Sequence, residues 1–318
     1  MSIPKTEIKA IDRRRRAFFW TGEDTCHGSK CLVAWDNVCA SKSHGGLGVK
    51  DLELQNRCLL MKFIDKLFAS EDASWKKWIL HEAESLDTSA TGVDGYLWKI
   101  VNDELSTFGL TLDDAADVRL MKLNGKRYTA KAAYVALDTR GDAQDAHGHR
   151  VWSTRVPNKV KIFSWLYYKD RLSTRANLFA KHILADEECE QCSGGVEDRH
   201  HVFFTCPVSA EVWGMLHFAD VASLPDAETW EFTPPAGLDS TLWPFVLQTI
   251  LWRLWDARNG VVFRAENPTG RSIVSRVCDD LVIWHNRLRD GQAIANLNAW
   301  RRYLTSCNSA VTAAPIGA

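Results

Sequence analysis

The chain has 318 residues, 46% of them hydrophobic, with 14 Trp and 13 Phe; that is core material for two modest globular domains and excludes a disordered chain. Its 39 basic and 40 acidic residues nearly cancel, so total charge supplies no general pull toward nucleic acid or membrane, and any such pull must come from local clusters. No window approaches the roughly 18 uninterrupted apolar residues of a membrane-spanning helix, and the basic start from Met1 to Arg16 is not followed by a signal-type apolar run, so an intracellular protein with no membrane partner is expected.

Residues 1–137 make the first expected region. It opens on Arg13-Arg14-Arg15-Arg16, a run that suits a nuclear-localisation or phosphate-binding cluster and equally the solvated start of a helix. Phe18-Phe19-Trp20 follows, then Leu32-Val33-Ala34-Trp35, which reads as a buried strand, and the glycine turn Gly45-Gly46-Leu47-Gly48. Leu52, Leu59, Leu60, Phe63, Ile64 and Leu67 fall close to the spacing of one apolar helical face. A helix over 52–67 is expected, with that face docking a protein partner, and Trp75 and Trp78 close the helical region. Asp117 to Tyr128 alternates as strand, Asn124-Gly125 turn and strand, and Lys131 to Leu137 starts a helix.

Residues 138–150 (DTRGDAQDAHGHR) are polar and poor in core side chains, the composition of a linker. Residues 151–305 form the second region. After Val151-Trp152 and the break at Pro157, helices are expected over Lys159 to Tyr168, Ser209 to His217, Leu242 to Asn259 and Ser272 to Leu288. Residues 306–318 are small and polar, the composition of a flexible tail.

Nine cysteines, an odd number, without a secretion signal point to reduced thiols and metal binding rather than a disulfide framework. Cys189, Cys192, His201 and Cys206 stand in the order C-x2-C-x8-H-x4-C. Two thiolates two residues apart converge on one ion from a tight turn, and a second pair completes the tetrahedron that zinc takes in closed structural sites. Gly194-Gly195 lets the backbone fold back between the halves. Three sulfurs and one imidazole fill every position, so one structural Zn2+ is expected rather than a hydrolytic one. Glu187, Glu188, Glu190, Gln191, Glu197, Asp198 and Arg199 make the segment too polar for buried free cysteines. His200 is the rival to His201, whose spacing to Cys206 fits better. A second site could be drawn from Cys26, Cys31 and Cys39 with His27 and His44, but its spacings are loose. Cys58, Cys278 and Cys307 read as packing or surface thiols. The fold class expected is mainly α with a small β element, a helical lobe followed by a helical zinc-knuckle domain.

Between Val151 and His182 stand seven basic residues, Arg155, Lys159, Lys161, Lys169, Arg171, Arg175 and Lys181, against one acid, Asp170. The segment also carries Trp165, Tyr167 and Tyr168. Cations beside exposed aromatics are the means by which a protein grips single strands. The competing reading makes Phe163, Trp165 and Leu166 core and the lysines its solvated rim. From Lys159 onward these six cations are the candidate nucleic-acid contacts.

Several motifs stand in one order: Phe19-Trp20, Leu32 to Cys39, Gly45 to Leu52, Asn56 to Lys62, Val151-Trp152, Pro157 to Leu166, Asp170 to Arg175, His201 to Pro207 and Val212-Trp213. Together they resemble the C-terminal region of plant LINE-type (non-LTR) retrotransposon polyproteins, which carries the reverse transcriptase zinc-binding domain. The resemblance covers most of the chain. It implies that residues 1–137 are a thumb-side or connection-like region following the polymerase palm, that 151–305 are the zinc-binding domain with C-terminal helices, and that RNA or DNA is the ligand. It does not extend to polymerase activity, which needs carboxylates, in an aromatic-x-Asp-Asp turn, to hold two metal ions. Asp279-Asp280 follows Val277-Cys278, with no aromatic in place, and Asp113-Asp114 is equally unsupported; both pairs read as solvated acids. No G-x-x-x-x-G-K-[ST] loop, G-x-S-x-G elbow or H-E-x-x-H helix is present, and no four-carboxylate set of the RNase H kind can be assembled. The function expected is a noncatalytic zinc-binding fragment that binds RNA or DNA; the alternatives are a protein-interaction module and a decayed remnant without selected function.

Overall fold

A computed structural model describes residues 3–68, 73–78, 111–115, 118–123, 126–138, 146–223 and 229–310. The chain divides into two compact units, the first made of Met1–Ser41 and Gly46–Gly141, the second of Lys42–Gly45 and Asp142–Ala318. Both are built mainly from helices, with a small sheet in the first, which is the fold class expected from the sequence.

In the first unit, helix α1 runs Lys5–Thr21, α2 Trp35–Cys39, α3 Leu52–Phe68 and α4 Ala130–Leu137. Strands β1 (Thr111–Ala115), β2 (Val118–Leu123) and β3 (Lys126–Arg127) form an antiparallel meander. Leu123 faces Lys126 and Lys122 faces Arg127, the pairing that a two-residue connection produces; the expected Asn124-Gly125 turn itself lies outside the described residues. Gly22 ends α1 at φ +73°, its N–H bonded to the Phe18 carbonyl, a left-handed cap that suits glycine. Gly46 is required by close approach, since a Cβ there would lie 2.0 Å from the Ala40 carbonyl oxygen.

One local expectation changes in this unit. Leu32 to Trp35 is not a strand, because Trp35 opens α2 and only Val33 of the four is buried. On α3, among the side chains described, Cys58, Met61 and Asp65 are buried, while Leu59 and Phe63 of the expected docking face are 50% and 36% exposed. The Tyr128 hydroxyl donates to the Cys58 carbonyl at 2.8 Å. Asp51 starts this helix by accepting the Leu54 N–H, and its own N–H is bonded to the Tyr134 hydroxyl, 2.8 Å away.

The second unit contains α5 (Ala146–Ser153), α6 (Asn158–Tyr168), α7 (Arg175–Ala180), α8 (Pro207–Met215), α9 (Trp243–Arg264), α10 (Gly270–Trp284) and α11 (Gly291–Ala310). Residues 146–150 of the stretch expected as a linker are thus helical, and so are residues 306–310 of the expected tail; 311–318 lie outside the described residues. The tail continues as helix because Leu297, Trp300, Leu304 and Cys307 recur at intervals of one helical face and are buried. Helix α9 is the central post. Phe245, Val246, Leu247, Ile250, Leu251, Leu254 and Ala257 are buried along it, and it packs against both α6 and α10. Helix α10 begins in a capping box between Thr269 and Ser272, which satisfies two otherwise orphaned backbone donors.

Tryptophan indoles tie loops to this core. Trp165 donates to the Gly45 carbonyl, Trp213 to Phe203 and Trp243 to Thr229, each at 2.7 Å, and Trp300 to Asp239 at 3.0 Å. Each ring is buried while its single polar atom finds a backbone acceptor, the arrangement that lets a large amphipathic ring sit in a core.

Asp280 is not a solvated acid. It is 3% exposed, and both its oxygens accept from Arg253 of α9 at 2.6 Å in a two-pronged pair that joins α9 to α10. Asp280→Asn leaves a partly buried guanidinium short of its partner and is expected to cost about 3 kcal/mol, the lower part of the range for breaking a buried pair, because Arg253 retains Asp256. Urea unfolding of the variant beside the wild type, with zinc content measured on both, checks this; zinc content should not change.

Candidate metal centre

The knuckle begins as a short hairpin. Glu188 and Val196 form an antiparallel bridge, the Cys189 N–H reaches the Gly195 carbonyl at 2.8 Å, and the Ser193 N–H reaches the Cys189 carbonyl at 2.7 Å. This turn brings Cys189 and Cys192 to one side. The left-handed residue in it is Ser193, at φ +48°, and neither glycine has a positive φ. Gly195 lies against the His201 ring, where a Cβ would stand 3.4 Å from Cε1, an ordinary contact distance.

The second half of the ligand set comes from the single π-helical turn His201–Thr205. Asp198 starts the turn by accepting the His201 N–H at 2.7 Å. Cys206 ends it, bonding its N–H to the His201 carbonyl at 2.7 Å, and also caps α8, whose first residue is Pro207. Val202, Phe203 and Phe204 are buried and anchor the turn in the aromatic core, with Phe203 4.9 Å from Tyr167 and Phe204 5.8 Å from Trp213 between ring centroids.

One ligand atom from each of Cys189, Cys192, His201 and Cys206 lies within 4.8 Å of all the others. His201 Nε2 is 3.3 Å from Cys192 Sγ, and its Nδ1 is 3.4 Å from Thr205 Oγ1. Donors bound to tetrahedral zinc stand about 3.5–3.8 Å apart, given bonds of about 2.0 Å to nitrogen and 2.3 Å to sulfur, so the donor set fits this ion in chemistry and spacing. With Nδ1–H turned to the Thr205 hydroxyl, Nε2 presents its lone pair to the metal, the usual way in which an outer partner fixes a ligating imidazole. Cys189 is held far below the ordinary thiol value, to about 4, first by the hydrogen bond it accepts from Cys206 and then by backbone N–H groups, against the opposing effect of burial. The same bond, with burial, pushes Cys206 up. A thiolate therefore stands ready where a cation is to be received. Among the described residues there is one zinc site, whose donors are the four residues expected from the spacing. His200, the rival, is exposed and lies against Phe204.

Glu197 was expected among the groups that keep this segment polar, yet it is fully buried. Its carboxylate accepts from Arg258 of α9, the shortest contact being 2.5 Å, and from the Arg175 N–H at 2.9 Å. Neither this pair nor the roles of Asp198 and Thr205 are marked by ligand spacing; an aspartate three residues before His201 is the one cue that the sequence offers, as a turn-starting residue.

The other candidate residues are placed as follows. Cys26 Sγ and Cys31 Sγ lie 3.5 Å apart, but no third ligand joins them among the described residues. Lys159 and Arg171 are exposed, whereas Lys161, Lys169 and Lys181 are half-buried. Burial, followed by neighbouring cations, lowers the pKa of Lys161 and of Lys181. Arg175 is taken up inside the knuckle, paired with Asp186 at 2.5 Å and with Glu190. Trp165 and Tyr167 are core rings, 2% and 0% exposed, not a stacking platform.

Purified protein is expected to carry one zinc per chain by mass spectrometry, and the Cys189→Ser/Cys192→Ser variant to carry none and to melt at lower temperature. Because protons compete with zinc for the thiolates, zinc should be released progressively as pH falls, a loss followed with a chromogenic chelator. Glu197→Gln leaves Arg258 buried without its counter-charge and is expected to cost about 3–5 kcal/mol in denaturant unfolding; a loss below 1 kcal/mol would show that the pair does not hold the knuckle to α9.

Residues 128–213 match the family described as zinc-binding in reverse transcriptase, a span that contains all four ligands. Among curated proteins the chain is similar to a putative ribonuclease H protein of Arabidopsis thaliana, 21% identical over 374 aligned positions that cover 86% of this chain and 59% of that protein. The chain thus spans well under two thirds of that relative's length. No solved structure matches it. These likenesses relate the chain to retrotransposon proteins through the zinc-binding region of reverse transcriptase.

Proposed function

We propose that the chain is a noncatalytic, zinc-stabilised nucleic-acid-binding segment derived from a LINE-type retrotransposon reverse transcriptase. The closed ligand set carries this reading. Three sulfurs and one imidazole occupy every position of the zinc tetrahedron, so no coordination site is left to activate a water, and the metal's work is to hold shape. The Asp279-Asp280 pair lends no support to two-metal chemistry, since Asp280, its buried member, is engaged by Arg253. The family likeness supports RNA or DNA as the ligand, and exposed Lys159 and Arg171 supply cations for phosphates.

A protein partner is the second reading. The exposed Leu59 and Phe63 on α3 favour it, as apolar side chains facing outward on one helix.

Fluorescence anisotropy of the zinc-loaded full chain with labelled single-stranded RNA, and with DNA of the same sequence, tests the proposal. Four phosphate contacts on a single strand predict a loss of affinity of about 50-fold between 50 and 200 mM salt. Binding that ignores salt, or no binding, would overturn it. In the same buffer with Mg2+, an RNA–DNA hybrid is expected to stay intact on a denaturing gel, and cleavage abolished by a carboxylate substitution would overturn the noncatalytic half.

A further inference from the structure

The second unit contains a basic notch assembled from segments far apart in the chain. Residues 152–156, from the end of α5 into its connection to α6, line one wall together with Lys161, and Asn286, Arg287 and Arg289, after α10, line the other, around a volume of about 600 Å³. Arg155, Arg287 and Arg289 are exposed and Lys161 is half-buried. Val156, which also lines the notch, is buried, as are Val151, Trp284 and Leu288 beside it in sequence. Arg287 Nε donates to the Arg155 carbonyl at 2.8 Å, tying the two walls together, and within the first wall Lys161 Nζ donates to the Trp152 carbonyl at 3.0 Å. Lys42 Nζ adds a further charge 4.7 Å from the centre of the Trp152 ring.

Among the described residues, none of Lys42, Arg155, Lys161, Arg287 and Arg289 pairs with a carboxylate. The acid next to them in sequence, Asp290, accepts the Gln292 N–H at the start of α11 and does not line the notch. Lys42, Arg287 and Arg155 all act on Lys161 in the direction of repulsion. Elsewhere in the unit Arg175, Arg253, Arg258 and Arg264 have acidic partners, whereas Arg171, Arg271, Arg301 and Arg302 have none among the described residues; what distinguishes the notch is that its cations line one concavity. Unpaired like charges converging on one concavity repel each other, and an anion seated between them turns that repulsion into attraction.

We propose that this notch is a phosphodiester-binding site. The guanidinium groups of Arg155 and Arg289, whose forked donors match phosphate oxygens, take the backbone phosphates of a nucleic acid, and Lys161 and Lys42 deepen the local potential. The inference rests on the nucleic-acid reading above, and it places the main grip on Arg155, Arg287 and Arg289 rather than on Lys159, Lys169, Arg171 and Lys181.

The test uses the zinc-loaded full chain with a labelled single-stranded RNA and the matching DNA. Neither the Arg155 nor the Arg289 side chain has a hydrogen bond among the described residues, so Arg155→Gln/Arg289→Gln should keep the wild-type melt and zinc content. Losing two phosphate contacts predicts about 25-fold weaker binding near 0.1 M salt and a salt slope shallower by about 1.4. Lys159→Gln/Arg171→Gln should weaken binding less, and Arg155→Lys/Arg289→Lys should restore most of the slope. If the wild type binds and Arg155→Gln/Arg289→Gln binds equally well with the same slope, the notch is overturned and the nucleic-acid reading stands. A wild type that binds neither strand overturns both, and full competition by inorganic phosphate at low millimolar concentration would replace the polymer with a small anion as the ligand.

Discussion

Three thiol sulfurs and one imidazole nitrogen, each within 4.8 Å of the others, impose the constraint that the second unit is built around. Without a cation these groups compete for protons, as the opposite displacements of Cys189 and Cys206 show. With zinc they become one tetrahedron. The segment that carries them is short and rich in carboxylates, so apolar burial alone cannot hold its hairpin. It is secured from two sides instead, by the metal's ligands in front and by the buried Glu197–Arg258 pair behind. Because Arg258 belongs to α9, and α9 packs against both α6 and α10, the placement of a four-ligand site is coupled to the helical core. The π-turn His201–Thr205 makes the same connection through apolar contact, offering His201 to the metal on one side while burying Val202, Phe203 and Phe204 on the other.

The wealth of tryptophan serves a related purpose. Trp165, Trp213, Trp243 and Trp300 are buried, and each spends its one donor on a loop or turn carbonyl. An aliphatic residue could fill a comparable part of the core but could not also fix a connecting segment. Trp243 and Trp300 stack at 5.9 Å between centroids, and Phe218 sits edge-on to both. The start of α9 and the middle of α11 thereby meet around the Asp239 turn, to which Asn296 also donates.

What was legible in the sequence was local. The ligand quartet followed from spacing over 18 residues, and the choice of His201 over His200 from its distance to Cys206. The helices of 158–168, 207–215 and 243–264 followed from apolar periodicity, with boundaries moved by caps and by Pro207. What was not legible depended on distant partners. The contact of Tyr128 with α3 spans 70 residues to Cys58, and Asp280 is taken out of solvent by Arg253, 27 residues before it. Arg175 counted as an outward cation until the fold supplied Asp186 and Glu190. The last helix is a different case: the stripe Leu297, Trp300, Leu304, Cys307 is in the sequence, but asparagines, serines and arginines between its members dilute the signal.

Net charge near zero conceals how these arginines are distributed. Buried or half-buried guanidinium groups at 175, 253 and 258 are matched to carboxylates that hold elements together, and truncating one partner of such a pair strands a charge in a poorly solvated place. The arginines at 155, 287 and 289 lie on exposed positions where they could have been matched as cheaply, yet no acid faces them among the described residues. Structural stability does not require that asymmetry, since exposed ion pairs contribute little either way. An anionic polymer would turn it to use, because each counterion released from the polymer adds affinity that a prepaired surface would already have given up.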